Sequence, residues 1–416
     1  MSSISQKMNT MNTDPTSKGR SILHLSLYTW IYILQGVFAT HVGQFVNIYL
    51  KTPLGYSIAL LALIHFLIYI PLIIKPALYL FLQRTSAEVK VRRNIVPSGI
   101  FFLLCAVVTG FLTPDNSPVW IILAFVIMQL SLVPLDLTVD SYIIPQYPKR
   151  SVLLSILQIG ASIVGGQIAY ALVIGFTNYF TTQTWMVYYI MLGVLVIPAL
   201  VLGMMTRPKI YPLLSRKIIP FRQLLPEDQP VMKWLIIFIV GINSSYLAGS
   251  VMDLWLFDRF GDVFYVELGR NTSLLGAIGI GLVVILALLP KIFRKIRFPL
   301  LYIIGIITVI NFVVMIYAPL QVLVITQSIA IGFTYVFTLI YLSLMLEVIP
   351  ESIRPAYYQV CAVIFALARS IYEPLGLVLA IWLGNANVIL LTAGLMFLNI
   401  PILVIFGRML AKHQGQ

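Results

Sequence analysis

From Leu25 to Leu410 the chain repeats one pattern, a long uninterrupted apolar run followed by a polar connector. Twelve runs can be marked, at 24–50, 57–82, 95–112, 118–144, 152–174, 186–205, 233–257, 271–289, 299–317, 320–348, 356–382 and 387–410. An α-helix rises about 1.5 Å per residue, so about 20 apolar residues cross the roughly 30 Å of a bilayer's hydrocarbon core. The runs are continuous and do not alternate with period two, which selects helices over barrel strands, since lipid requires every backbone group to be paired internally. The pattern predicts an all-α, multi-pass membrane protein with twelve transmembrane helices, in an inner or plasma membrane. Residues 1–23 are polar and lack an apolar stretch with a cleavage site, so they predict a disordered tail, with span 1 itself leading the chain into lipid.

Composition agrees: 60% of residues are hydrophobic and 10% charged, more apolar surface than a water-soluble domain can hide. Charge then orients the spans. Of the 27 Lys and Arg, most fall on alternate connectors: the N-terminal tail, the 84–93 loop, Lys149 and Arg150, the 207–233 segment, the 291–297 loop, Arg354 and the C-terminal tail. The intervening connectors carry Lys51, Arg259 and Arg270, while Lys75 and Arg369 lie inside spans. Basic connectors stay in the cytoplasm, which predicts both termini inside. The net charge of +13 is thus a matter of topology, with some contact to anionic lipid, and calls for no nucleic-acid partner. Cys105 and Cys361 sit in spans 3 and 11 as small packing residues, and the four histidines form no ligand-spaced pair, so neither metal nor other cofactor is expected. No HExxH, GxSxG or Walker loop occurs, which argues against an enzyme and against direct ATP drive.

The chain divides once, at the Pro-rich, basic connector 206–232. The expected organisation is a tail (1–23), a first six-helix bundle (24–205), a cytoplasmic linker (206–232) and a second six-helix bundle (233–416). A shift of 207–209 positions lays the 84–93 loop on 291–297, Asp140 on Glu347 and Gln44 on Asp253. Parallel repeats of this kind resemble the major facilitator superfamily, where substrate binds near mid-membrane between two rocking halves.

Local motifs sharpen the resemblance. Spans 1 and 2 carry Gln35-Gly36 and the run Pro71-Leu72-Ile73-Ile74-Lys75-Pro76; span 4 carries Asp136 and Asp140 in LDLTVDSYIIP, and span 5 is Gly-rich. These are similar to the folate–biopterin transporter family, and PAYYQVCAVIFALARSIYEPLG in span 11 also resembles AmpG-like permeases. Gln83-Arg84 stands where the superfamily carries Asp-Arg, so the resemblance implies fold and transport class and not a pterin substrate.

Charged groups inside lipid cost several kcal/mol unless paired or hydrated, so each calls for a reason. Lys75 shares its depth with Asp136 and Asp140, whose i,i+4 spacing puts both on one helix stripe. A Lys75–Asp pair would be either a gate that breaks as the bundles rock or a permanent clamp. Arg369 lies near the midplane with Glu373 one turn on. Its planar fork of donors suits a substrate carboxylate or phosphate, with Glu373 releasing it or taking a proton; the alternative is a self-satisfied pair. Pro374 predicts a helix break just after Glu373. Polar stripes at helical spacing, His41, Gln44 and Asn47 in span 1, and Asn243, Tyr246, Ser250 and Asp253 in span 7, read as cavity lining, joined by Gln327, Thr334, Thr338 and Tyr341 of span 10. Interhelical hydrogen bonding is the plainer use of such stripes, and His41 and His65 read as packed neutral imidazoles ahead of the other use, proton relay. Gly160, Gly165 and Gly166 are expected to let helices approach closely.

The sequence therefore points to a monomeric secondary transporter of a small organic, anionic solute, working by alternating access, with protons or another ion as coupling partner. A non-transporting membrane binding or assembly factor of the same fold is the alternative.

Overall fold

The computed structural model describes residues 15–51, 54–75, 77–78, 91–112, 118–143, 151–175, 182–206, 230–261, 263–264, 267–268, 281, 285, 289–348 and 354–414. Among these residues the chain is helical apart from short connectors, and nine helices are long and apolar enough to cross a bilayer. Span 8 and the 206–232 linker fall almost wholly outside the described residues, as do the 84–93 loop and the side chains of Gln44, Asn47 and Thr334.

Span 1 starts at Pro15, well before residue 24, and runs to Thr40; residues 15–23, expected as tail, belong largely to this helix. Proline is preorganised for a first helical turn, where its missing N–H is not needed. A π-helical turn, His41–Phe45, follows, then a short helix Val46–Lys51. Span 2 is Ile58–Ile73, capped by the Ser57 hydroxyl accepting from the Leu60 amide. Spans 3, 4 and 5 are Val91–Phe111, Pro118–Ile143 and Ser151–Gly175. Span 6 is two helices, Thr182–Val194 and Ile197–Met205, because Pro198 starts a new helix in its first turn. Span 7 is Pro230–Ile242, a 3₁₀ turn Asn243–Leu247, and Gly249–Phe260. Spans 9 to 12 are Pro290–Tyr317, Leu320–Val348, Arg354–Leu383 and Asn385–Gln414.

Pro374 does not break span 11, contrary to the sequence expectation; the helix continues to Leu383. Lipid and neighbouring helices leave the chain no water to satisfy a broken end, so prolines are accommodated inside membrane helices. Pro71, Pro134 and Pro401 are held within helices in the same way.

Small residues set the packing. A Cβ on Gly36 would lie 2.2 Å from the Ser162 carbonyl oxygen, and one on Gly165 would lie 2.1 Å from that of Ile33, so spans 1 and 5 touch backbone to backbone. Gly376 makes the same contact for spans 11 and 7, its Cβ position lying 1.8 Å from the Leu247 carbonyl oxygen. Without a hydrophobic drive between helices in lipid, such close approach is what holds a bundle together. Trp30 of span 1 donates to the Leu195 carbonyl at 2.8 Å, and Trp185 of span 6 to that of Thr109 in span 3 at 3.0 Å. The two halves meet where span 2 lies along span 11 and span 5 along span 10. At the end of the molecule remote from the basic connectors, Lys51 and Asp258 join span 1 to span 7 at 2.8 Å. The outward faces carry exposed Phe101, Leu104, Val108 and Phe111 on span 3, and Ile303, Ile306 and Ile310 on span 9. Apolar faces of this extent are unfavourable in water and are what a bilayer requires.

Candidate functional site

Arg369 lies near the middle of the 30-residue span 11, with Glu373 one turn further on. Its Nε donates to Glu373 Oε2 at 3.2 Å. The guanidinium carbon sits 4.5 Å from the Tyr246 ring centroid and 5.1 Å from that of Tyr69. One aromatic face comes from span 2 in the first half and the other from span 7 in the second. Cation–aromatic contacts of this kind contribute about 2 kcal/mol when water is excluded, and they fix the plane of the fork without using its donors. The Nη edge has no hydrogen-bond acceptor among the described residues and faces the π-turn of span 1, where a Cβ on Gly43 would lie 3.4 Å from Nη2. The arginine side chain keeps 21% of its surface exposed.

Glu373 is the opposite case, 2% exposed and saturated. The Tyr69 hydroxyl donates to Oε2 at 2.9 Å and the Ser250 hydroxyl to Oε1 at 2.7 Å. His65 Nδ1 lies 3.4 Å from Oε1. Three helices therefore converge on one carboxylate: span 2 through His65 and Tyr69, span 7 through Ser250, and span 11 through Arg369. A depth count agrees on each. Tyr69, Ser250 and Glu373 all stand roughly ten residues from the end of their helices remote from the basic connectors, about 15 Å at 1.5 Å per residue. The layer is mid-membrane.

The breaks in spans 1 and 7 help to place these groups. The spans equated by the sequence repeat both leave α-geometry within their length, at His41–Phe45 and at Asn243–Leu247. In span 7 the tight turn frees the Gly241 carbonyl, which accepts from the Asn399 amide of span 12 at 2.6 Å; Asn399 also donates to Ser244 at 2.9 Å. Tyr246 leaves this turn facing Arg369 and packs edge-on against Phe365.

The other predicted residues are distributed differently. Lys75 and Asp136 form a buried ion pair between spans 2 and 4, while Asp140 accepts from the Tyr32 hydroxyl at 2.7 Å. Both partners of the ion pair belong to the first half. His41 is buried against span 6, stacked on Tyr188 at 4.0 Å with Nε2 2.8 Å from the Tyr189 hydroxyl. Asn243 is fully buried, its amide donating to the Ile239 carbonyl at 2.6 Å. Gln327 accepts from Asn311 of span 9 at 3.0 Å, which ties span 10 to span 9. Asp253 is buried on span 7, Thr338 is half-buried on span 10, and the side chain of Gln44 lies outside the described residues. Among the described residues no cluster of His, Cys, Asp and Glu is arranged to hold a metal.

Sequence reasoning put Arg369, Glu373 and Tyr246 in one site and gave His65 a packing role, and it passed over Tyr69. The signal was present: His65 and Tyr69 are spaced i,i+4 on span 2, the same rule that paired Arg369 with Glu373.

No protein-family model matches the chain, and no curated protein does. Solved structures do. The nucleoside transporter NupG aligns over 93% of this chain and 99% of its own, with a TM-score of 0.64 at 14% identity. The xylose transporter XylE from E. coli, in an inward-open conformation, aligns over 91% and 95%, with a TM-score of 0.62 at 15% identity. A bacterial homologue of the iron transporter ferroportin, in an outward-facing state, aligns over 94% and 99%, with a TM-score of 0.67 at 14% identity. At these identities the likeness concerns architecture, and it extends over more than nine-tenths of the chain: the chain is a multi-pass membrane protein with the major facilitator fold.

Proposed function

We propose that this protein is a secondary transporter that moves a small organic anion by alternating access, acting as a monomer in the cell's boundary membrane. The observation that carries the proposal is the state of Arg369. A mid-membrane cation has its plane set by two tyrosines, one from each half, and its Nε committed to Glu373, while its Nη edge meets no acceptor among the described residues. A carboxylate or phosphate needs two parallel N–H donors in one plane, and this edge presents them. Structural neighbours that carry a nucleoside, a sugar and iron support transport as the class and leave the solute to be read from the site. The alternative role as a non-transporting assembly factor has no comparable observation behind it.

The test is uptake by full-length protein in liposomes of phosphatidylethanolamine and phosphatidylglycerol. Five labelled anions serve as probes: folate, a muropeptide, AMP, benzoate and inorganic phosphate. At least one should enter faster than into empty liposomes, and R369Q should abolish that excess. Uptake of none of the five, or full uptake by R369Q, would overturn the proposal.

A further inference from the structure

Charges that the Arg369 layer does not use gather at one end of two neighbouring helices. From residue 268 to 346, and again after Glu373, the chain has no acidic residue, so spans 9 and 12 carry only positive charge. Span 9 opens with Lys291, Arg294, Lys295 and Arg297, and span 12 closes with Arg408 and Lys412. Two close contacts set these helices antiparallel and in register. A Cβ on Gly407 would lie 3.0 Å from the Phe298 ring, and one on Gly305 would lie 3.9 Å from Ile400. With Phe298 opposite Gly407, Arg297 stands level with Arg408, and Lys295 with Leu410. Lys295, Arg408 and Lys412 therefore share about one helical turn of depth, roughly 6 Å at 1.5 Å per residue.

Direction follows from the same contact. At about 100° per residue, Lys295, three positions before Phe298, turns about 60° from the contact, and Arg408, one position after Gly407, turns about 100°. In antiparallel helices those rotations go to the same side, so the two groups flank one groove. That side is the one turned to lipid. Exposed positions recur at steps of three and four as Lys295, Pro299, Ile303 and Ile306 on span 9. On span 12 they recur as Pro401, Ile405, Arg408 and Lys412. Each stripe is apolar towards mid-membrane and basic at its end, where long side chains reach the headgroup layer. Lys295, Arg408 and Lys412 meet no hydrogen-bond or ion-pair partner among the described residues. Arg297 is buried, its guanidinium carbon 5.6 Å from the Phe298 ring centroid, and adds its charge from within the protein.

We infer that this groove binds one anionic phospholipid, its phosphodiester between Lys295, Arg408 and Lys412 and its acyl chains along the isoleucines towards mid-membrane. Charge complementarity selects the headgroup, and the apolar stripes select a molecule with tails, which free phosphate lacks. Basic grooves between membrane helices suit such headgroups. Basic connectors scattered along a chain attract anionic lipid diffusely; three basic groups in one turn of one groove make a site. The site lies on the outside of the second half and is independent of what the Arg369 layer carries.

The experiment titrates full-length protein in neutral detergent with phosphatidylglycerol or phosphatidylcholine and counts retained lipid by native mass spectrometry. The parent should hold one phosphatidylglycerol at least about tenfold more tightly than phosphatidylcholine. Each basic residue beside a lipid phosphate strengthens binding roughly fivefold, so K295Q/R408Q/K412Q should bind phosphatidylglycerol roughly a hundredfold more weakly. K7Q/K18Q/R20Q, which removes the same charge from the opposite end of the chain, should bind as the parent does. Equal affinity for the two lipids in the parent would overturn the inference, and that comparison needs no variant. An equal loss in both triple variants would also overturn it, by showing diffuse attraction in place of a site. Displacement of the lipid by glycerol 3-phosphate at equal concentration would show a site for soluble phosphate and not for lipid.

Discussion

The division of labour between two residues one turn apart organises the site. Arg369 is held by ring faces, which restrain its plane but occupy no donor, while Glu373 is held by donors that occupy its lone pairs. The first is left able to bind and the second is not. The distinction predicts that charge alone will not serve at position 369. R369K keeps the charge and loses both the fork and the stacked geometry, so initial uptake rates should fall about tenfold or more, close to the loss in R369Q. A lysine variant with near-normal rates would show that Arg369 acts as a point charge only.

Lys75 and Asp136 are the opposite sort of pair. Both are buried and both belong to the first half, on spans 2 and 4, so rocking of the bundles has no need to separate them. They read as a clamp. Removing one partner of a buried pair leaves the other uncompensated at a cost of about 3–5 kcal/mol, whereas an apolar pair can replace both at little cost. K75M should therefore lower the thermal unfolding midpoint in detergent markedly, and K75M/D136L should recover most of it. Equal midpoints for the single and double variants would argue against the clamp.

At the level of the helix, packing overrode local signals in three places. Span 11 runs through Pro374, span 1 begins at Pro15, and spans 1 and 7 change helix type within their length. Hydrophobic runs located the described spans well, since length and apolarity are direct consequences of bilayer thickness. Leu320–Val348 matches its expected bounds at both ends. The mid-span π and 3₁₀ turns were not legible, because they depend on partners in other helices, such as Asn399 for the Gly241 carbonyl. Similarly, Arg369 and Glu373 could be placed together from i,i+4 spacing, but Tyr69 and His65 reach them only through the contact of span 2 with span 11. Glycines repeat the lesson. Gly165 and Gly376 sit against carbonyl oxygens of neighbouring helices, while a Cβ on Gly160 meets nothing within 4 Å. G165A and G376A should each lower thermal stability, overpacking costing typically about 1–3 kcal/mol, and G160A should be neutral. Size-exclusion profiles after heating would distinguish these outcomes, and a G376A protein as stable as the parent would contradict the packing described.

For the whole molecule, contacts between the halves can be followed from one rim to the mid-membrane layer. The Lys51–Asp258 pair closes the rim remote from the basic connectors, and the Tyr69 and His65 contacts to Glu373 lie below it at mid-membrane. That arrangement corresponds to a molecule shut at the end remote from the basic connectors. The rim pair is partly exposed and contributes at most about 1 kcal/mol, a bias small enough for the proposed cycle to overcome. Substituting both partners by alanine should shift the population toward an outward-open form without unfolding the protein.

The central claim is that the Arg369 layer communicates with water from one face at a time. The direct measurement is labelling of Y246C by a membrane-impermeant anionic thiosulfonate, in sealed vesicles of each orientation, with Cys105 and Cys361 replaced by serine. Labelling from the basic face alone is predicted, with access from the opposite face appearing once Lys51 and Asp258 are both alanine. Failure to label from either face, or simultaneous access from both in the parent protein, would contradict the account.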